Sequence, residues 1–392
     1  MNPPKHTLPL IIFSQFCCTS LWFAGNGVMG DLVNNFQLSS STIGHLTAAV
    51  QFGFIIGTIV FAVFTIADRY SPSKVFFVSA IIGALFNLGT IYEGNNLSTL
   101  LLFRFFSGFF LAGIYPVGMK IAADYYEKGL GKSLGFLVGA LVLGTAFPHL
   151  LKGFSSSLPW KSVLLTTSSL AIVGGTVILA WVPNGPFRKS SLKVDFSAFF
   201  KVFKNQNFRA AAFGYFGHMW ELYAFWAFVP IILESYQHVH PNAHFNIPLL
   251  SFSIIAVGSL ACAAGGLLSE KMGVKKVAST ALLLSGICCA SSPFFFALNS
   301  ETTFLSFLFL WGMVVIADSP LFSTLVAQNA PAEGKGTALT IVNSIGFAIT
   351  IISIQLLNML KEYMDTSLIF TLLAIGPILG LLALYQKRTK TI

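Results

Sequence analysis

Gly265-Gly266-Leu267-Leu268-Ser269-Glu270-Lys271-Met272-Gly273-Val274-Lys275-Lys276 is a short charged turn between two long apolar runs. A worn copy stands earlier in the chain, Ala67-Asp68-Arg69-Tyr70-Ser71-Pro72-Ser73-Lys74, again between apolar runs. Laid over one another, Asp68 meets Glu270, Arg69 meets Lys271, Ser71 meets Gly273 and Lys74 meets Lys276. An acid, a base, a tight turn and a closing base recur, as two homologous halves require.

The chain has 392 residues, of which 55% are hydrophobic and 9% charged. A soluble domain carries about 25% charged residues, so the deficit points to lipid. Apolar runs of ~20 residues recur along the whole length, each long enough to cross ~30 Å of hydrocarbon as a helix. Barrel strands would alternate in polarity over ~10 residues, and these runs do not. The expected fold is an all-α polytopic membrane protein of about twelve spans. The first apolar run shows no small-residue cleavage site and is expected to stay as a helix. Cys17, Cys18, Cys262, Cys288 and Cys289 all fall in apolar runs without ligand-spaced partners, which favours small apolar filler over redox or metal chemistry. No phosphate-binding loop of the Gly-x-x-x-x-Gly-Lys-(Ser/Thr) type occurs, which argues against ATP as driver.

The spans fall at roughly 8–30, 42–66, 74–92, 97–120, 132–152, 162–182, 208–233, 248–269, 276–298, 302–325, 336–359 and 367–386. The net charge of +9 sits in loops on one side, whereas the other side receives only Lys152, Lys161 and Lys361. Positive loops specify orientation rather than nucleic-acid binding, and they place both termini in the cytoplasm. The longest polar connection opens with the helix stop Pro183-Asn184-Gly185-Pro186 and continues through Val194 to Lys204 with aromatics and lysines at helical spacing. It reads as a surface amphipathic helix. The expected organisation is a six-span half over 1–182, a cytoplasmic linker over 183–207 and a second six-span half over 208–392.

Further echoes support the duplication. Arg104 to Pro116 and Leu308 to Pro320 carry Gly108 and Gly312, and the two prolines, at matching positions. Gly131-Lys132-Ser133-Leu134 and Gly334-Lys335-Gly336-Thr337 then open the next span in each half. Nearly the whole chain resembles the major facilitator superfamily (MFS) of secondary transporters. The family's loop between spans two and three is matched by Ala67, Asp68, Arg69 and Lys74, with Phe64 and Ser71-Pro72 as departures. It is matched better by Gly266, Leu268, Ser269, Gly273, Lys275 and Lys276 of the second copy. The family's span-four motif of Arg followed by Gly is met by Arg104 and Gly108. Thr19 to Asn26 and Gly217 to Ala224 look like a branch of bacterial porters. The Gly-Pro-x-x-Gly-Gly signature of the family's proton-antiporting drug exporters is replaced here by Gly144-Thr145-Ala146-Phe147-Pro148-His149.

Ionisable groups deep in a span are expensive and so are functional candidates. Arg104 lies in the outer half of span four, where its guanidinium fork suits an anion; the alternative is a structural role against carbonyls freed at a kink. Glu221 lies mid-span in span seven with His218 one turn earlier on the same face, a pair suited to holding a proton. A carboxylate bonded to Trp or Tyr across the bundle is the bland alternative. Asp318 precedes Pro320, as a proton or sodium site or as the cap of a helix break. Asp31, His45, His149 and Lys152 lie near the outer span ends, where interface solvation explains them, and Lys120 is expected to snorkel. His238, His240 and His244 read as a solvated loop rather than a metal site.

The resemblance places spans one, four, seven and ten around a midplane pocket. Its expected substrate contacts are Arg104, Tyr115, Trp22, Asn26, Trp220, Tyr223 and Trp311, with Glu221, Asp318 and His218 for proton coupling. Asp68, Arg69, Lys74, Glu270, Lys271 and Lys275 are expected to gate, Asp68 facing the start of span eleven and Glu270 that of span five. The reading is a monomeric, non-enzymatic transporter in the bacterial inner membrane. It moves a small polar, anionic solute with protons, or alternatively sodium, needing no cofactor, metal or nucleic acid. A proton-driven exporter of amphipathic compounds is the alternative. A membrane enzyme lacks a His-Glu-x-x-His motif or nucleophile elbow to support it, and intact loops count against a transport-dead sensor.

Overall fold

The computed structural model describes residues 6–39, 42–126, 130–154, 159–188, 203–330 and 335–386. Eleven helical stretches among them are long and apolar enough to cross a membrane, and the shorter apolar helix Thr7–Thr19 makes the twelfth span. Span two is Thr42–Val63, span three Pro72–Gly89, span four Leu97–Tyr125, span five Leu130–Phe154 and span six Lys161–Trp181. The second half repeats the set as Gln206–Val239, Ile247–Met272, Val274–Ala297, Glu301–Asn329, Lys335–Leu360 and Thr366–Tyr385. The predicted surface helix over 194–204 falls almost wholly outside the described residues.

The spans differ from expectation where side chains compete with the helix. Span one, expected as one helix over 8–30, stops at Thr19 and resumes as Ala24–Gly27 and Met29–Asn35. Thr19 Oγ1 donates to the Gln15 carbonyl (2.8 Å) and Ser20 Oγ to that of Cys17 (2.7 Å), and such back-bonding weakens a helix. Span seven runs from Gln206 to Val239, beyond the expected 208–233. Its last turns leave the apolar run but are held at the surface, where Tyr236 stacks on Phe304 at 3.9 Å and His240 Nε2 meets the Phe296 carbonyl at 2.9 Å. Among the described residues, no group of three His, Cys, Asp or Glu is placed to hold a metal ion.

The duplication is visible in packing. In span four a Cβ on Gly108 would strike the Val50 carbonyl of span two, and in span ten one on Gly312 would strike the Ile254 carbonyl of span eight. Corresponding glycines thus let corresponding helices touch backbone to backbone. Each of these long spans is broken at one place, with Pro116 and Pro320 opening the second segment.

The charged turns of the two halves are built differently. In the second copy the helix runs unbroken to Met272 and turns on Gly273 at φ +88°, which suits glycine. In the first copy Thr65 takes the positive φ (48°), and Ser71 sits at φ −59° with Pro72 starting span three. Asp68 pairs with Lys120 of span four at 2.8 Å, and Lys120 lies 3.6 Å from Asp124. Lys120 is therefore an ion-pair partner in its own half rather than a snorkelling side chain. Arg188 donates to the carbonyls of Asp68 (2.8 Å) and Tyr70 (2.9 Å), tying the start of the linker to this loop. Arg69, Lys74, Glu270 and Lys271 are exposed, and Lys275 Nζ donates to the Leu384 carbonyl at 2.7 Å.

The halves meet at the ends remote from the lysine-rich face. Gly153 of span five approaches Leu249 of span eight, Gly139 approaches Ser259, and Gly44 of span two approaches Asn358 of span eleven. Gly135 lies on the same face of span five as Gly139 and Gly153, nearer the lysine-rich end, and a Cβ there would meet nothing within 4 Å. The same holds for Gly266, two turns beyond Ser259. Spans five and eight thus approach closely at Gly153 and Gly139, whereas Gly135 and Gly266, nearer the lysine-rich end, face no atom within 4 Å.

Candidate functional site

The break in span one builds one side of the centre. Residues between Thr19 and Ala24 leave the helix, freeing carbonyls that a span in lipid must satisfy. Arg104 supplies the donors: Nη2 to the Trp22 carbonyl at 2.6 Å and Nη1 to that of Leu21 at 3.4 Å. The side chain is 1% exposed, and Nε has no partner. Gly25 makes room, since a Cβ there would lie 3.1 Å from Nε. Among the described residues no carboxylate forms an ion pair with Arg104. Arg104 thus locks the kink through these carbonyls, while its Nε stays buried without a partner.

Around it stand other unsatisfied polar atoms. Asn26 Nδ2 donates to Thr47 Oγ1 (2.8 Å), while its Oδ1, Trp22 Nε1 and both amide atoms of Gln51 are buried without partners. Gln51 is one turn from Thr47 and three residues from Phe54, which meets Trp22 at 4.8 Å. Gln51 adjoins Val50, whose carbonyl meets Gly108 one turn after Arg104. Sequence reasoning missed Gln51. Its signal is a lone amide within an otherwise apolar stretch of span two.

Trp22 also stacks on Tyr223 (5.7 Å) and Phe347 (5.6 Å) of the other half and meets Tyr115 edge-on at 6.5 Å. Phe23 meets Trp226 at 6.3 Å. This aromatic layer joins the halves beside the Arg104 group. Tyr115, Tyr223, Trp22 and Asn26 are thus brought together as expected. Trp220 is not among them, because its indole donates to the Leu372 carbonyl of span twelve at 3.1 Å.

The second half holds its acids in pairs. Glu221 Oε1 accepts from Trp311 Nε1 (2.6 Å) and Oε2 from Ser285 Oγ (2.8 Å), so both oxygens are occupied. Trp311 is fully buried against Phe225 and serves Glu221 rather than an open wall. Asp318 lies at the break of span ten, where its carbonyl accepts from Leu321 (3.0 Å) and Phe322 (2.8 Å). Its side chain lies 2.8 Å from His218 Nδ1, and both side chains are buried. His218 therefore faces Asp318 and not Glu221. The approach is that of an ion pair rather than a hydrogen bond, and His218 Nε2 and both carboxylate oxygens of Asp318 have no hydrogen-bond partner.

The Major Facilitator Superfamily profile matches residues 11–354. An uncharacterised MFS-type transporter of Bacillus subtilis, YceJ, is 22% identical over 92% of this chain and 90% of its own. The niacin transporter NiaP of Acinetobacter baylyi is 31% identical over 34% of this chain and 35% of its own. The 4-hydroxybenzoate transporter PcaK of the same organism is 28% identical over 39% of this chain and 30% of its own. This chain therefore aligns with about a third of the length of either named-substrate relative. A solved bacterial homolog of the human lysosomal transporter Spinster, inward-facing and unoccupied, has the same fold, with TM-score 0.66 at 16% identity over 97% of this chain and 94% of that one. The match, the twelve spans and the repeated packing agree: the chain is a non-enzymatic transporter of the major facilitator superfamily.

Proposed function

We propose that this transporter carries a small organic anion, an aromatic carboxylate in particular, across the bacterial inner membrane in a proton-coupled cycle. The observation that carries the reading is Arg104: a guanidinium 1% exposed, short of an anion and set beside Trp22, Tyr115 and Tyr223. A carboxylate docks on its Nε edge with help from Gln51 and Asn26, beside the aromatic layer. The names of NiaP and PcaK, both for transporters of small aromatic acids, favour the same class. The positive loops support cytoplasmic termini.

Proton coupling rests on the His218–Asp318 pair, with Glu221 as a second holder. Each is buried. In this proposal the charged turns form a cytoplasmic latch for the outward-open state; Asp68 pairs with Lys120 of its own half. In proteoliposomes, uptake of the solute is expected to carry protons, and Arg104→Gln to abolish uptake while leaving the protein folded. Unchanged proton movement in Glu221→Gln and Asp318→Asn together overturns the coupling. The second reading, export of amphipathic compounds, draws on the same aromatic layer. It expects drug sensitivity in a deletion strain and transport indifferent to Arg104.

A further inference from the structure

A second group of unsatisfied polar atoms comes from spans five and eight. Thr145 Oγ1 and His149 Nε2 in span five and Ser251 Oγ in span eight are buried, with no hydrogen-bond partner. Their placement follows from the helix faces. Gly139 and Gly153 of span five meet span eight, whereas Gly144 meets Thr19 and Gly27 of span one meets Pro148. At 100° per residue, Thr145 and His149 fall in the sector between those two contacts, one turn apart on one stripe. Ser251 stands two turns before Gly258, whose face meets Ile316 of span ten and Val142 of span five. The antiparallel register, Gly153 on Leu249 and Gly139 on Ser259, sets Ser251 at the depth of His149.

The group is costly where it stands, because three buried polar atoms go unpaired while apolar side chains of similar size would fill a merely structural seam. Asp31 and Lys152 pair with each other at 2.7 Å near the same end, so they do not serve it. We propose that Thr145, His149 and Ser251 form an outer subsite that takes an uncharged hydrogen-bonding group, a hydroxyl or a ring nitrogen, of the transported solute. The hydroxyls and the imidazole both donate and accept, which suits either group. Because the subsite draws on both halves, a solute that fills it also favours the closed outer seam. The inference rests on the organic-anion reading for the identity of the solute, but not for its location.

The test compares uptake of 4-hydroxybenzoate, nicotinate and benzoate by the full-length protein in proteoliposomes. Thr145→Val and Ser251→Ala are expected to raise KM for the first two roughly ten-fold with kcat retained, and to leave benzoate, which lacks the polar substituent, unchanged. His149→Gln, which keeps a donor and an acceptor, is expected to retain part of the preference. Equal changes for all three acids, or none, overturn the subsite. If the native protein takes none of the three, the organic-anion reading falls instead. The subsite is then judged by labelling Thr145→Cys and Ser251→Cys with a small charged methanethiosulfonate applied from outside. A subsite on the solute's path labels during cycling; a dry seam stays unmodified, and that result overturns the proposal.

Discussion

At the scale of single residues, the centre is governed by where buried polar atoms find partners. Arg104 was legible in the sequence as a buried cation, but its two duties were not. The carbonyls it caps are freed where the neighbouring span leaves the helix between Thr19 and Ala24. Gly25 sits against the guanidinium, so Gly25→Ala forces it to shift by a few tenths of an ångström. A flexible side chain absorbs that shift, and the expected result is weakened solute binding with melting temperature nearly unchanged, read by uptake and thermal unfolding together. Glu221 makes a sharper case. Trp311→Phe removes the donor to one oxygen of a buried carboxyl and is expected to cost about 1–3 kcal/mol. Adding Glu221→Gln is expected to recover part of it, because the amide leaves no anion stranded. A double-mutant cycle on unfolding that is additive refutes the direct bond.

At the scale of elements, glycines decide which helices touch. The matching Gly108 and Gly312 were visible as a repeat, but a repeat does not say whether a glycine marks a kink, a contact or open space. Gly108→Ala and Gly312→Ala each drive a methyl into a backbone carbonyl that cannot rotate away. Each is expected to destabilise the protein by about 1–3 kcal/mol, seen as lost yield and lower melting temperature in detergent. Gly135→Ala and Gly266→Ala meet nothing within 4 Å. They are expected to be neutral or to stabilise by up to about 1 kcal/mol through helix propensity. Gly273→Ala meets no atom either, yet its φ of +88° at ψ 138° makes it cost about 1–3 kcal/mol.

At the scale of the whole molecule, the halves approach closely at Gly153 and Leu249, and Gly135 and Gly266 face no atom within 4 Å. Cysteines replacing Gly153 and Leu249 have the close approach a disulfide needs, and mild oxidation is expected to bond them and stop transport. Cysteines replacing Gly135 and Gly266 are expected to stay reduced until the halves rock, and prompt bonding there would contradict an opening at that face. What the chain decided by itself is the membrane, the twelve spans, the two halves and the charged turns. Each follows from local composition, because hydrocarbon thickness demands apolar length and a duplicated gene repeats its motifs. Only the tertiary structure decided that His218 serves Asp318, that Trp220 turns to span twelve, and that Gln51 and His149 lie buried without partners. Periodicity tells which residues share a face, but the occupant of the facing helix depends on contacts between spans far apart in the chain. The paired turn around Gly273 thus identifies the machine from sequence, while the cargo site depends on which unpaired atoms the folded halves bring to one depth.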